Sequence, residues 1–246
     1  MRAGLALSLC AATAAVATAR PAARAKPRAT GKLSSRFSTP ADATETPAYR
    51  YGQMSQDDCE AALHDRGISY QRETARGVAM PIRLTGPLHG VVFRTNDGDP
   101  RTSPYDIVDC RLALALDDFA VILAGHDIVE VRHYSIYRAP PRDWPDDKLG
   151  TRHNGALAID AALFTGRDGK KLEVLKDFHG KIDAKTCGPG AGPHPATPEA
   201  VELRAILCEA VDHHLFNVVL TPNYNKPHRN HFHLEITAGV KWFLVH

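Results

Sequence analysis

Residues 225–236 read Asn225-Lys226-Pro227-His228-Arg229-Asn230-His231-Phe232-His233-Leu234-Glu235-Ile236 and place three histidines within six positions. From His231 onward polar and apolar residues alternate, the period of an extended strand whose successive side chains leave opposite faces. The spacing predicts a strand with His231, His233 and Glu235 on one face and Phe232, Leu234 and Ile236 on the other. Such a strand is anchored through its apolar face and offers two imidazoles and a carboxylate to a cleft. Neutral imidazole ligates zinc and exchanges protons near neutral pH, so this density marks a candidate metal or proton-transfer site. His228, just after Pro227 in the entering turn, is placed to lean over the same cleft. With thirteen histidines in 246 residues, a histidine-rich surface hairpin is the competing reading, and the motif needs a partner elsewhere.

The stretch Thr151-Arg152-His153-Asn154-Gly155-Ala156-Leu157-Ala158-Ile159-Asp160 supplies one. A catalytic zinc takes three protein ligands from His, Asp, Glu or Cys and keeps a fourth position open. His153, Asp160 and His233 would complete such a set. A histidine followed seven residues later by aspartate through small residues, with a distant His-x-His, resembles the LAS metallopeptidases. That group contains the lysostaphin-type enzymes, the D-alanyl-D-alanine metallopeptidases and the hedgehog signalling domain. Within it, Pro222-Asn223-Tyr224-Asn225 running into His228-x-x-His231-Phe232-His233-Leu234 is similar to the extensin-like C-terminal domain of bacterial secreted proteins. The likeness spans about Asp57 to Glu235. The chain departs from the usual pattern at Thr151, where serine is expected, and at Ala156, where glycine is expected, with a glycine one place earlier at Gly155.

The resemblance implies an α+β fold with a small antiparallel sheet, helices packed on one side and a zinc groove on the other. It also implies Zn2+ held by His153, Asp160 and His233, lowering the pKa of water so that hydroxide is available at neutral pH. The first histidine of His-x-His lies near that water in such proteins, which makes His231 the expected general base and His228 a second proton-handling or substrate-orienting group. Glu235 has an alternative place as a carboxylate behind one of the imidazoles. Ser135-Ile136-Tyr137-Arg138 is similar to the Ser-Gly-Tyr-Arg of the D-alanyl-D-alanine metallopeptidases and lacks only the glycine. Arg138 thereby inherits the expected role of stabilising an oxyanion or holding a substrate carboxylate. A fixed guanidinium beside a polarised carbonyl favours negative charge that exists only in the transition state. The competing reading is a surface arginine at a strand end. The expected activity is hydrolysis of amide bonds in peptidoglycan peptides by a secreted carboxypeptidase or endopeptidase. A non-catalytic, metal-stabilised module that binds the cell envelope is the alternative.

The ends of the chain place it in a compartment. Met1 to Ala19 carries Arg2, an apolar run and Ala17-Thr18-Ala19 as a small-x-small cleavage site, a secretory signal peptide. Leu9 is too bulky before Cys10 for a lipoprotein signal. Residues 20–51, rich in Ala, Pro, Arg, Lys, Ser and Thr without apolar periodicity, are expected to be a disordered basic tether. Residues 52–246 form the expected folded domain, a monomer with a peptidoglycan peptide as partner in the periplasm or outside the cell. No later stretch is apolar and long enough to span a bilayer. The net charge of +2 argues against nucleic acid. Cys59, Cys110, Cys187 and Cys208 remain after signal removal and in an exported chain indicate two disulfides. Four cysteines allow three pairings, and sequence does not choose; Cys59–Cys110 with Cys187–Cys208 is the working expectation.

Between these points the periodicity predicts a helix over 56–66 after Ser55, strands around a turn within 80–95, a helix over 109–125 and a strand over 128–137. His133 in that strand reads as a packed or surface imidazole. A turn from Gly155 enters a strand at Leu157 that hairpins through Gly166-Arg167-Asp168-Gly169. Small residues at Gly155 and Ala156 are expected to let the backbone approach the metal. Thr197-Pro198 opens a last helix, with His213 and His214 at its C-terminal end, and Phe216 to Leu220 forms a strand leading into the histidine stretch.

Overall fold

The strand predicted after Asn230 lies inside a sheet, and its two neighbours explain the site. The structure, a computed structural model, describes residues 36–246. The expected signal peptide and the expected tether up to residue 35 lie outside the described residues. In chain order the strands are β1 Phe37–Ser38, β2 Tyr70–Arg72, β3 Pro81–Leu84, β4 Val92–Thr95, β5 Val108–Asp109, β6 Ile128–His133, β7 Ala158–Gly166, β8 Lys171–Glu173, β9 Val218–Leu220, β10 Phe232–Glu235 and β11 Phe243–Val245. The helices are α1 Pro47–Gly52, α2 Gln56–Asp65, α3 Cys110–Gly125, α4 Val174–Asp177 and α5 Pro198–Asp212.

The α+β class is the expected one, but the sheet is larger than expected and mixed. Its order is β1-β11-β9-β10-β7-β6-β4, with β8 paired to β7, and β2-β3-β5 form a separate sheet. β4 runs parallel to β6 and β11 parallel to β9. A parallel pair needs a crossover, and α3, between β4 and β6 in sequence, is that crossover. The strands expected around a turn within 80–95 therefore part company: β3 joins the small sheet and β4 the large one. The strand expected over 128–137 ends at His133, after a register irregularity between Arg132 and His133. Tyr134 N and Ser135 O still bond to Asp160 of β7, and past them the backbone turns to other partners, Ile136 N donating to Tyr105 O and Arg138 N to His153 O.

Caps that are legible in sequence set the helix starts. Ser55, Asp109 and Thr197 each accept a backbone N–H from the first turn of α2, α3 and α5. α3 is buried along most of its length, and Phe119 meets Phe216 edge-on at 5.8 Å. On the core face of the sheet Phe232 packs against Phe164 at 5.9 Å and Phe178 at 5.2 Å. Burying one such ring contributes about 1.5–3 kcal/mol, which anchors β10 by the face opposite its histidines.

Disulfides join Cys59 to Cys110 and Cys187 to Cys208, the expected pairing. Closing loops of 51 and 21 residues stabilises the fold by about 4 and about 3 kcal/mol on a chain-entropy basis. The tether expected to reach residue 51 stops earlier. α1 buries Ala48 and Tyr51, and the Tyr51 hydroxyl donates to Asp118 while accepting from Arg66. Three aromatic side chains in an otherwise small and polar stretch, Phe37, Tyr49 and Tyr51, are the signal that composition alone obscured.

Candidate metal centre

Strand register brings the first two groups together. β10 pairs antiparallel with β7 so that His233 stands directly opposite Asp160, and cross-strand neighbours on one face have Cβ atoms about 4.5–5.5 Å apart. His153 arrives from the short helical turn Arg152–Gly155 ahead of β7. That turn is tight. Arg152 and Ala156 both adopt left-handed backbone, φ 48° and 52°, which accounts for the glycine expected at the second position. Gly155 is small for a different reason than close approach to a metal: an added Cβ would lie 2.5 Å from the carbonyl carbon of Gly150. The turn is held by Gly155 N donating to Thr151 O and Leu157 N to Arg152 O, at 2.9 and 2.8 Å.

The result is a buried triangle. His153 Nε2 is 3.1 Å from Asp160 Oδ1 and 3.2 Å from His233 Nδ1, and His233 Nδ1 is 3.0 Å from Asp160 Oδ1. The outward nitrogens are already engaged. His153 Nδ1–H donates to Ile136 O, and His233 Nε2–H donates to Glu235, both at 2.9 Å. Each neutral imidazole carries one N–H, so the inward nitrogens present lone pairs beside a carboxylate oxygen. Three acceptors facing one point suit a cation between them, and His153, Asp160 and His233 form a group with the geometry to hold a metal ion.

The electrostatics point the same way. Burial alone would raise the Asp160 carboxyl, but where protons stand in for a cation on the facing nitrogens, hydrogen bonds from His153, His231 and His233 outweigh it and hold it far below the usual carboxylate range. Burial opposes charge on His233, yet Asp160 and Glu235 lift its pKa above the ordinary value. The centre therefore attracts positive charge.

The other expected residues surround it. Arg138 pairs with Asp160 and donates from Nε to Ser135 Oγ at 2.8 Å. Its side chain is about half exposed, so it is an orienting partner of Asp160 that also faces solvent. His231 directs Nε2 to Asp160 Oδ1 at 3.3 Å and donates from Nδ1 to Asn230 Oδ1 at 2.9 Å. His228 donates from Nδ1 to Asn225 Oδ1 at 2.7 Å, with its ring 5.2 Å from that of His231 and 5.9 Å from that of His233. Burial, then repulsion from His231 and His233, pushes its pKa down to about 4. Glu235 takes the place behind His233. His133 points into the core, fully buried, with Nε2 3.2 Å from Asp106.

Sequence reading missed the supports. Asn225 and Asn230 fix which nitrogen of His228 and His231 carries the proton, and Asn230 Nδ2 donates to the Tyr134 hydroxyl at 3.0 Å. Asparagines one and three positions before a histidine were the available signal. The quartet Ser135 to Arg138 is used throughout: Ser135 Oγ accepts from Arg138, Ile136 O from His153, and the Tyr137 hydroxyl donates to Arg76 O at 3.1 Å.

These observations define an α+β domain built around a buried cluster of two histidines and one aspartate. The family model described as extensin-like protein C-terminus matches residues 57–244, and the chain belongs to that family. Neither the curated proteins nor the solved structures compared with it gave a match. The two disulfides suit an oxidising compartment such as the cell exterior, and among the described residues no helix is long and apolar enough to cross a membrane.

Proposed function

We propose that the domain is a zinc-dependent peptidase that hydrolyses amide bonds in the peptides of peptidoglycan, as a carboxypeptidase or an endopeptidase. One observation carries the reading: three potential ligand atoms converge at 3.0–3.2 Å while the far nitrogens of both rings have partners of their own. Tetrahedral zinc with nitrogen and oxygen ligands at about 2.0–2.1 Å sets those ligand atoms about 3.3–3.4 Å apart. The triangle lies within a few tenths of an ångström of that. Three protein ligands with a fourth position open is the arrangement of catalytic rather than structural zinc. The likeness to LAS metallopeptidases at His153, Asp160, His231 and His233 supports the same reading.

Zinc held there supplies Lewis acidity and makes hydroxide available near neutral pH. The side chains do the rest. His231, held by Asn230 with Nε2 toward the centre, accepts a proton and returns it to the leaving amine. His228, kept neutral by its depressed pKa, offers Nε2 as a hydrogen-bond acceptor or second proton carrier. Arg138 orients Asp160 and, from its exposed side, meets an oxyanion or a substrate carboxylate.

The test is metal analysis of the purified protein together with mass spectrometry of products from cell-wall sacculi. About one zinc per chain and new amine termini are expected. His153→Ala and Asp160→Ala should abolish both. Full zinc occupancy after both changes rejects the ligand set. Zinc without new termini identifies the metal-stabilised binding module instead.

A further inference from the structure

A groove of about 420 Å³ runs beside the centre, between the segment from α4 to Ile182 and the turn Asn225–Arg229. Its apolar wall includes Leu175 and Ile182, which are 49% and 54% exposed. Both large aliphatic side chains stand open in the same groove. Opposite them stand Lys226 and Arg229, with His179 at the edge, and no acidic residue lines the groove.

The two cations are uncommitted. Among the described residues neither Lys226 nor Arg229 has an ion-pair partner, and Arg229 donates only to the Lys226 carbonyl, at 3.1 Å. Nearby carboxylates are engaged elsewhere: Glu173 with Lys176 at 2.5 Å, Asp177 with the Glu173 backbone N–H at 2.7 Å, and Asp183 with Arg36 at 3.0 Å. The wall is also firm. Asn223 Oδ1 accepts from Lys181 N and Asn223 O from Asp183 N, both at 2.8 Å, which straps the loop carrying Ile182 to the segment ahead of the turn. Asn225 joins groove to centre, since it lines the one and holds His228 of the other.

We propose that this groove is a subsite for an acidic peptide segment with aliphatic side chains, the continuation of the substrate past His228. The proposal rests on the peptidase reading for the word substrate, but the groove's preference stands on its own chemistry. Carboxylates meet Lys226 and Arg229, and aliphatic side chains lie against Leu175 and Ile182. An enzyme with such a subsite engages chain on the far side of His228 and favours extended peptides over a lone terminal dipeptide.

The experiment uses the full folded chain with labelled isoleucine and leucine methyls, titrated with acetyl-Ala-Glu-Leu-Glu-Ala or its glutamine counterpart acetyl-Ala-Gln-Leu-Gln-Ala. The expected result is a shift of the Ile182 and Leu175 methyls by the acidic peptide, about tenfold weaker binding of the neutral one, and loss of that preference in Lys226→Glu/Arg229→Glu. Unmoved methyls, or equal affinity for both peptides, overturns the proposal. The same titration on Asp160→Ala should give the same preference, because the groove lies outside the ligand cluster. A failed peptidase assay and a failed groove are therefore told apart.

Discussion

Glu235 accepts a hydrogen bond from His233 Nε2 at 2.9 Å, two positions along the same face of one strand. Its second oxygen accepts from Thr237 Oγ1 at 2.9 Å, and Arg152 Nε stands 3.8 Å away. A buried carboxylate tied on three sides locks the ring so that Nδ1 faces the centre. Partners of this kind raise the basicity of a ligating imidazole.

Glu235→Gln keeps the shape and removes the charge. Zinc affinity, measured by competition with a chromogenic chelator, should fall about 10–100-fold while the fold persists. Unchanged affinity would remove Glu235 from the centre.

Gly155→Ala forces a methyl to within 2.5 Å of the Gly150 backbone. Overpacking against backbone that cannot rotate away costs about 1–3 kcal/mol, and the displacement falls on the turn that carries His153. A lowered melting temperature together with weakened metal binding is expected. A variant with wild-type stability would mean that the two loops separate freely.

Tyr134→Phe deletes the hydroxyl that accepts from Asn230, which in turn holds His231. A single exposed hydrogen bond is worth about 0.5–1.5 kcal/mol, so turnover of a peptidoglycan fragment should drop about 2–10-fold. Zinc content should be unaffected. Wild-type turnover would show that Asn230 orients His231 unaided.

His126, just past the end of α3, reaches Glu202 and Glu209 of α5 at 2.6 and 3.1 Å. Burial works against its charge, but the two carboxylates outweigh it and raise its pKa above the ordinary histidine value. A raised pKa means that the folded state holds the proton more tightly. The resulting stability is fully present below the unfolded value of about 6.5 and is lost as pH rises through the folded value. His126→Gln should therefore destabilise the protein by about 1 kcal/mol or less near pH 5.5 and by little near pH 9, read as the difference in melting temperature at each pH. An equal difference at both would reduce the contact to packing.

The residues that the sequence marks individually are those with local signatures. Alternation from His231 to Ile236 assigns each side chain to a face before any partner is known, because period-2 geometry is a property of the strand itself. Ser55, Asp109 and Thr197 announce their helices because capping acts within one turn. The four cysteines beyond the expected signal point to two bridges, because an oxidising compartment favours paired cysteines. His153, Asp160, His228, His231, His233 and Arg138 could all be named in advance, since their residue types and spacing carry a resemblance.

What no local pattern contains is the register that seats His233 across from Asp160, or the contact of His153 with His233 over a separation of 80 residues. The split of β3 and β4 between two sheets, the pairing of Arg138 with Asp160, and the meeting of Leu175 and Ile182 with Lys226 and Arg229 are of the same kind. Each depends on which distant surfaces bury each other best, a collective outcome of packing that one segment's period or composition does not encode. Residue types, and the face each side chain takes along β10, were legible in the chain alone. Folding was needed to settle which nitrogen of each ring looks inward, because the carbonyl of Ile136 and the carboxylate of Glu235 claim the other one.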